Sequence, residues 1–221
     1  MQNVFSICTR FPGKREKPMN KQNSTIMKLA ETALLAALCY VSFTFLQIKI
    51  PVPGGDATSL HIGNTFCVLG ALLLGGWYGG LAGSIGMTIA DLMDPVYITG
   101  APKTFVLKLC IGLITGLVAH KIAKINETND KKYVFKWSLI ASIAGLAFNV
   151  IADPIVGYFY KQYILGQPQE VASILAKLSA GATFVNAIVS TILVVIIYNA
   201  VRPALIKANL ILVYVTAANA K

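Results

Sequence analysis

Residues 62–90 read IGNTFCVLGALLLGGWYGGLAGSIGMTIA, 29 residues without one charge. As one helix, this run would reach about 43 Å at about 1.5 Å per residue. The hydrocarbon core of a bilayer is only about 30 Å thick. The middle of the run is Gly75-Gly76-Trp77-Tyr78-Gly79-Gly80. Four glycines in six residues favour a break, and Trp with Tyr suits a membrane interface. The run therefore predicts two short helices, 62–75 and 79–93, joined by a tight turn.

The other apolar runs flank this one. They are Leu29 to Ile48, broken by Glu31; Phe105 to Ala119, containing Lys108; Trp137 to Tyr160, containing Asp153; and Leu178 to Val201. Together they predict six membrane spans, 27–48, 62–75, 79–93, 104–123, 135–160 and 173–201. The expected fold class is an all-α integral membrane protein, a compact six-helix bundle with both termini cytoplasmic. Composition agrees: 56% of the 221 residues are hydrophobic and 13% charged, with mean hydropathy +0.66. Soluble domains average about 25% charged. Residues 1–25 are expected to be a cytoplasmic, disordered segment, with Met19 an alternative start. The bundle covers 26–210, and 211–221 form a cytoplasmic tail.

Charge placement tests the count. The chain carries 19 basic and 9 acidic residues, net +10. With six spans, fourteen basic and four acidic residues fall on the inner side, and five of each fall outside. The whole excess then lies inside, as the positive-inside rule expects. A five-span model puts Arg202 and Lys207 outside and blurs this. The +10 therefore reports topology in a lipid bilayer, with no nucleic-acid partner.

Several chemistries are absent. The four cysteines contain no CxxC, and His61 and His120 fall at opposite faces, so neither a zinc ribbon nor a clustered intramembrane metal site is supported. No GxSxG occurs. Gly100-Ala101-Pro102-Lys103-Thr104 fails as a phosphate loop because Pro102 replaces the glycine required before the lysine. No cofactor is expected, and the chain is not read as an enzyme. Uphill transport would draw on an ion gradient or a partner.

Two further patterns stand out. Ala30, Ala33 and Ala37 share one face of the first span, a small-residue seam of the kind that lets helices approach in lipid. Gly75, Gly79 and Gly83, Gly76 and Gly80, and Gly112 and Gly116 repeat the spacing. The glycines are read as internal packing. The alanine face fits either packing or docking of another membrane protein. Polar groups at depth, which are costly in lipid, gather on the outer half: Asn64, Asp91, Lys108, Asn149, Asp153 and Asn186, with Tyr97 in an outer loop. Asn149 and Asp153 are i, i+4 and share a helix face. An ion pair such as Asp91 with Lys108 could be purely structural. Taken together, the set reads as an outward-facing pocket for a small polar ligand.

The stretch His61-Ile62-Gly63-Asn64-Thr65-Phe66, Leu72-Leu73-Leu74-Gly75, Tyr78-Gly79-Gly80-Leu81-Ala82-Gly83, Ile85-Gly86 and Ala90-Asp91-Leu92 resembles the substrate-binding S components of energy-coupling factor (ECF) vitamin transporters. So do Ala101-Pro102-Lys103-Thr104-Phe105-Val106-Leu107-Lys108, Asn186-Ala187 and Arg202-Pro203-Ala204-Leu205, close to the riboflavin-type branch. The resemblance covers roughly 26–210. It implies a multi-pass protein of the bacterial plasma membrane that holds a vitamin-class molecule near the outer face. It further implies docking on a transmembrane coupling subunit through the alanine face, with two cytoplasmic ATPase subunits supplying energy. Asn149 and Asp153 lie outside the matching motifs. The alternative from the residues alone is a stand-alone secondary transporter or channel for a small polar solute. A small membrane enzyme is a third class.

Overall fold

The computed structural model describes residues 21–52 and 56–208. The expected disordered segment lies outside them up to residue 20, as does the expected tail. Six helices form the bundle: α1 (Lys21–Phe45), α2 (Gly63–Leu74), α3 (Gly76–Met93), α4 (Ala101–Gly116), α5 (Lys131–Phe159) and α6 (Gln169–Lys207). A π-helical turn extends α4 over Leu117–Ile122, and another extends α5 over Tyr160–Ile164. Among the described residues, four segments are long and apolar enough to cross a membrane: Thr25–Phe45, Ile98–Glu127, Lys131–Ile164 and Gln169–Lys207. By contrast, the 12 residues of α2 reach only about 18 Å.

The all-α expectation holds for the bundle, with one added element. Between α1 and α2 lies an antiparallel hairpin, β1 (Gln47–Val52) and β2 (Asp56–His61), with Gln47 opposite His61 and Lys49 opposite Ser59. Ile48 and Ile50 alternate with Gln47 and Lys49, the period of a strand. Pro51 and Pro53 disfavour helix. Consequently α1 ends at Phe45, three residues short of the expected span.

The break in the charge-free run is tighter than expected. It falls on Gly75 alone, at φ +99°, where a side chain would strain the backbone. The helix resumes at Gly76, so Gly76, Gly79, Gly80 and Gly83 all belong to α3. They divide into two stripes. Gly79 and Gly83 face Ala71 and Cys67 of α2, whereas Gly76 and Gly80 face Gly112 and Leu109 of α4. A Cβ on Gly80 would stand 2.8 Å from the Leu109 carbonyl oxygen. Lipid offers helices little hydrophobic reason to associate, so this backbone-close packing holds them together. Both stripes therefore pack the bundle internally. The buried core around them includes Leu72, Ile111, Leu146 and Val194, while Ile151, Ile188, Ile192 and Ile196 point outward.

The alanine face of α1 is different. Thr32, Leu35, Ala36 and Cys39 are buried, and Ala30, Ala33 and Ala37 are exposed together with Leu34. None of the three alanines packs inside the bundle.

Each end of the bundle is tied down. At the end holding the α2–α3 turn and the α4–α5 loop, Arg202 is buried. It donates to the Ile125 and Thr128 carbonyls at 2.9 and 3.1 Å. His120 Nε2 lies 3.0 Å from the Ala71 carbonyl. The opposite end carries the hairpin and the candidate site.

Candidate functional site

Under the hairpin lies a cavity of about 950 Å³, counting its open mouth. Every helix except α2 contributes to it. Phe43 comes from α1, Asp91 from the end of α3, and Lys103, Thr104, Leu107 and Lys108 from one face of the first turns of α4. Asp153, Gly157 and Tyr160 come from α5 and its extension, and Leu175, Ser179, Thr183 and Asn186 from α6. Residues Thr58, Ser59 and His61 of β2 form the roof. Proline near the start of α4 suits the first helical turn, where an N–H has no intrahelical partner.

The charged centre is Asp153. It accepts a hydrogen bond from the Lys103 ammonium at 2.9 Å and another from the Ser179 hydroxyl. One carboxylate thus joins α4, α5 and α6. The Asp91–Lys108 pair considered as a structural option does not form among the described residues. Lys103 takes Asp153, and Lys49 takes Asp94. Asp91 instead faces the Thr104 side chain.

Asn186 fixes the roof to α6. Its Oδ1 accepts from the His61 backbone N–H at 3.0 Å, and its Nδ2 donates to the Ser59 carbonyl at 3.0 Å. The hairpin is also held at its other strand by the Lys49–Asp94 ion pair. Burial alone would raise the Asp94 carboxyl, but Lys49 and the Val96 N–H outweigh it and hold the group below its ordinary value. Beneath the roof, Phe43 packs edge-on against His61 at 4.7 Å and against Tyr97 at 5.8 Å. The His61 Nδ1 accepts from the Gly63 N–H at 3.2 Å. Burial, with the nearby Lys108 charge, pushes this imidazole down to about 3, so it is neutral at physiological pH. Across the cavity the Tyr160 hydroxyl donates to the Thr99 carbonyl at 2.8 Å.

Of the seven polar residues expected to face a ligand, Asp91, Tyr97, Lys108, Asp153 and Asn186 line this cavity. Asn64 and Asn149 do not. Both are buried, each with a side-chain oxygen that has no hydrogen-bond partner among the described residues. Residues that the sequence reading passed over include Phe43, Thr104 and Ser179. For Ser179 a signal exists. Ser179, Thr183, Asn186 and Ser190 recur at i, i+4, i+7 and i+11, a polar stripe along an otherwise apolar helix. Among the described residues, no cluster of three or more His, Cys, Asp or Glu could hold a metal ion.

Comparison with known proteins gives this site a context. The model of the family "ECF-type riboflavin transporter, S component" matches residues 23–203. The solved structure of ThiT from Listeria monocytogenes has a similar fold, with TM-score 0.60 at 19% identity over 82% of this chain and 98% of that one. No curated protein matches the chain. A family match extending over all six helices, the hairpin and the cavity identifies this chain as a member of the ECF-type riboflavin transporter S component family.

Proposed function

We propose that this chain is the substrate-specific subunit of an ECF-type importer. It captures a vitamin-class molecule, riboflavin being the first candidate, in the cavity under the hairpin. The observation that carries this reading is the cavity itself. It combines aromatic walls with a few fixed polar groups and opens at one end of the bundle. That end lies away from the basic segment holding Lys121, Lys124, Lys131, Lys132 and Lys136. From Asn186 to Arg202, α6 rises about 24 Å, close to the depth of one bilayer core. The arrangement supports six spans in a bacterial plasma membrane, with the cavity outside and both termini inside.

In this reading Asp91, Tyr97, Lys108 and Asp153 contact the ligand. Asn186 acts through the roof that it holds. The exposed face of Ala30, Ala33 and Ala37 docks on the transmembrane coupling subunit, and two cytoplasmic ATPase subunits drive release. The test is riboflavin titration of the detergent-purified chain without nucleotide, followed by uptake in cells with and without the coupling subunit and ATPases. Binding by the chain alone with uptake only in the full complex is expected. Uptake by the chain alone, driven by an ion gradient, would overturn the proposal.

A further inference from the structure

The cavity contains two buried charges that have no direct ion-pair partner among the described residues. Lys108 is 7% exposed and lines the cavity. Among the described residues, its ammonium has no hydrogen-bond partner and no carboxylate oxygen within 4.0 Å. The carboxylates that act on it electrostatically are Asp153 and Asp91. The two oxygens of Asp153 are engaged by Lys103 and Ser179. Asp91, 3% exposed, has the Thr104 side chain as a hydrogen-bond partner but no cation within 4.0 Å among the described residues. Burying an ion without a partner is expensive, and polar groups at this depth are costly in lipid. The two groups sit on adjacent antiparallel helices and face the same space. A partner that supplies an acceptor to one and a donor to the other would satisfy both.

We propose that Asp91 and Lys108 together read a donor–acceptor edge of the ligand: the Lys108 ammonium donates to a carbonyl oxygen, and the Asp91 carboxylate accepts from the adjacent N–H of an uncharged cyclic amide or imide. Because the two protein charges cancel, a ligand group with net charge would leave one of them unpaired, whereas a neutral –CO–NH– edge leaves neither. This assignment rests on the vitamin-binding reading above and specifies which part of the ligand is recognised.

The test pairs protein variants with a changed ligand. The probes are riboflavin, whose ring carries an N–H between two carbonyls, and 3-methylriboflavin, in which that N–H is replaced. Wild type is expected to prefer riboflavin by about 10- to 100-fold, the scale of a hydrogen bond to a charged group. Asp91→Ala should lower riboflavin affinity to a similar degree and shrink the preference below about threefold. Lys108→Met should weaken both flavins about equally, and Lys108→Arg should retain riboflavin binding to within about tenfold. A wild-type protein that binds both flavins equally would overturn the proposal without any variant. Full preference in Asp91→Ala, or unchanged affinity in Lys108→Met, would overturn it while leaving vitamin binding intact. Tighter binding of riboflavin 5′-phosphate than riboflavin, lost in Lys108→Met, would make the lysine an anion site and also overturn it. Wild type binding no flavin would remove riboflavin as the ligand and with it the reading on which this assignment rests.

Discussion

Replacing Asn186 with Ala should unfasten the roof of the cavity without removing a direct ligand contact. Both hydrogen bonds of this amide run to hairpin backbone, to the His61 N–H and the Ser59 carbonyl, each at 3.0 Å. Asn186 is 3% exposed, so water cannot readily replace it. An unsatisfied buried donor or acceptor costs about 1–3 kcal/mol, which puts the two together at about 2–6 kcal/mol. The hairpin keeps its Lys49–Asp94 tie and the Phe43–His61 contact, so the lower end of that range is expected. About 2 kcal/mol corresponds to roughly a 30-fold loss of affinity, because the ligand must then close the roof itself. The assay pairs ligand titration with hydrogen exchange at the His61 amide. Asn186→Ala should accelerate exchange there while leaving the α5 and α6 amides protected. Asn186→Asp keeps the acceptor and loses the donor, so it should fall between the two. Unchanged exchange at His61 with affinity within threefold of wild type would refute the role given to Asn186.

Four other outcomes follow from the same geometry. Asp153→Ala leaves the partly buried Lys103 ammonium without its carboxylate and should cost about 1–3 kcal/mol in a detergent melt; Lys103→Met combined with Asp153→Leu should recover much of that loss. Gly80→Leu places side-chain atoms against the Leu109 carbonyl and should prevent α3 from seating on α4, read as aggregation or loss of a monodisperse elution peak. Ala33→Trp and Ala37→Trp, on the exposed face of α1, should abolish uptake by the assembled importer and leave ligand affinity within twofold; equal loss of binding would contradict the docking role. The folded-state pKa of His61 lies at about 3, below the unfolded value of about 6.5, so the unfolded chain binds the extra proton. Its contribution is fully present above about 6.5 and is lost as the pH falls from there towards 3. The melting temperature should decline over that window, and His61→Gln should flatten the decline.

Much of the helical frame was legible because its signals were long and periodic. The 62–90 run was too long for one span and too rich in glycine to continue unbroken, and the structure turns there at Gly75. The turn was placed a few residues late because glycine does not forbid helix when a neighbouring backbone fills the space beside it, as Gly112 does for Gly80. The hairpin was missed for a different reason. Its strands are six residues each, and the apolar Ile48 and Ile50 merge into the preceding helix when hydropathy is averaged. Pro51-Val52-Pro53-Gly54-Gly55 was the available turn signal.

At the site, depth was readable and partnership was not. Asp91, Lys108 and Asp153 stood out as charges in apolar runs, but sequence alone could not tell that Lys103 takes Asp153 across 50 residues. Asn186 was expected to face ligand, and its amide is spent on the hairpin, a feature that itself went unseen. Asn64 and Asn149 have the same residue type and are equally buried, yet they do not line the cavity. Which face of a helix meets which neighbour decides this, and that depends on the close approach of backbones at the glycine stripes.

The most direct test of the central claim is native mass spectrometry of the chain purified in detergent without its partners or nucleotide. The account predicts one retained small molecule of vitamin class per chain, lost on denaturation and restored by adding that molecule back. A chain that carries no small molecule, and whose mass does not shift with riboflavin, would contradict it.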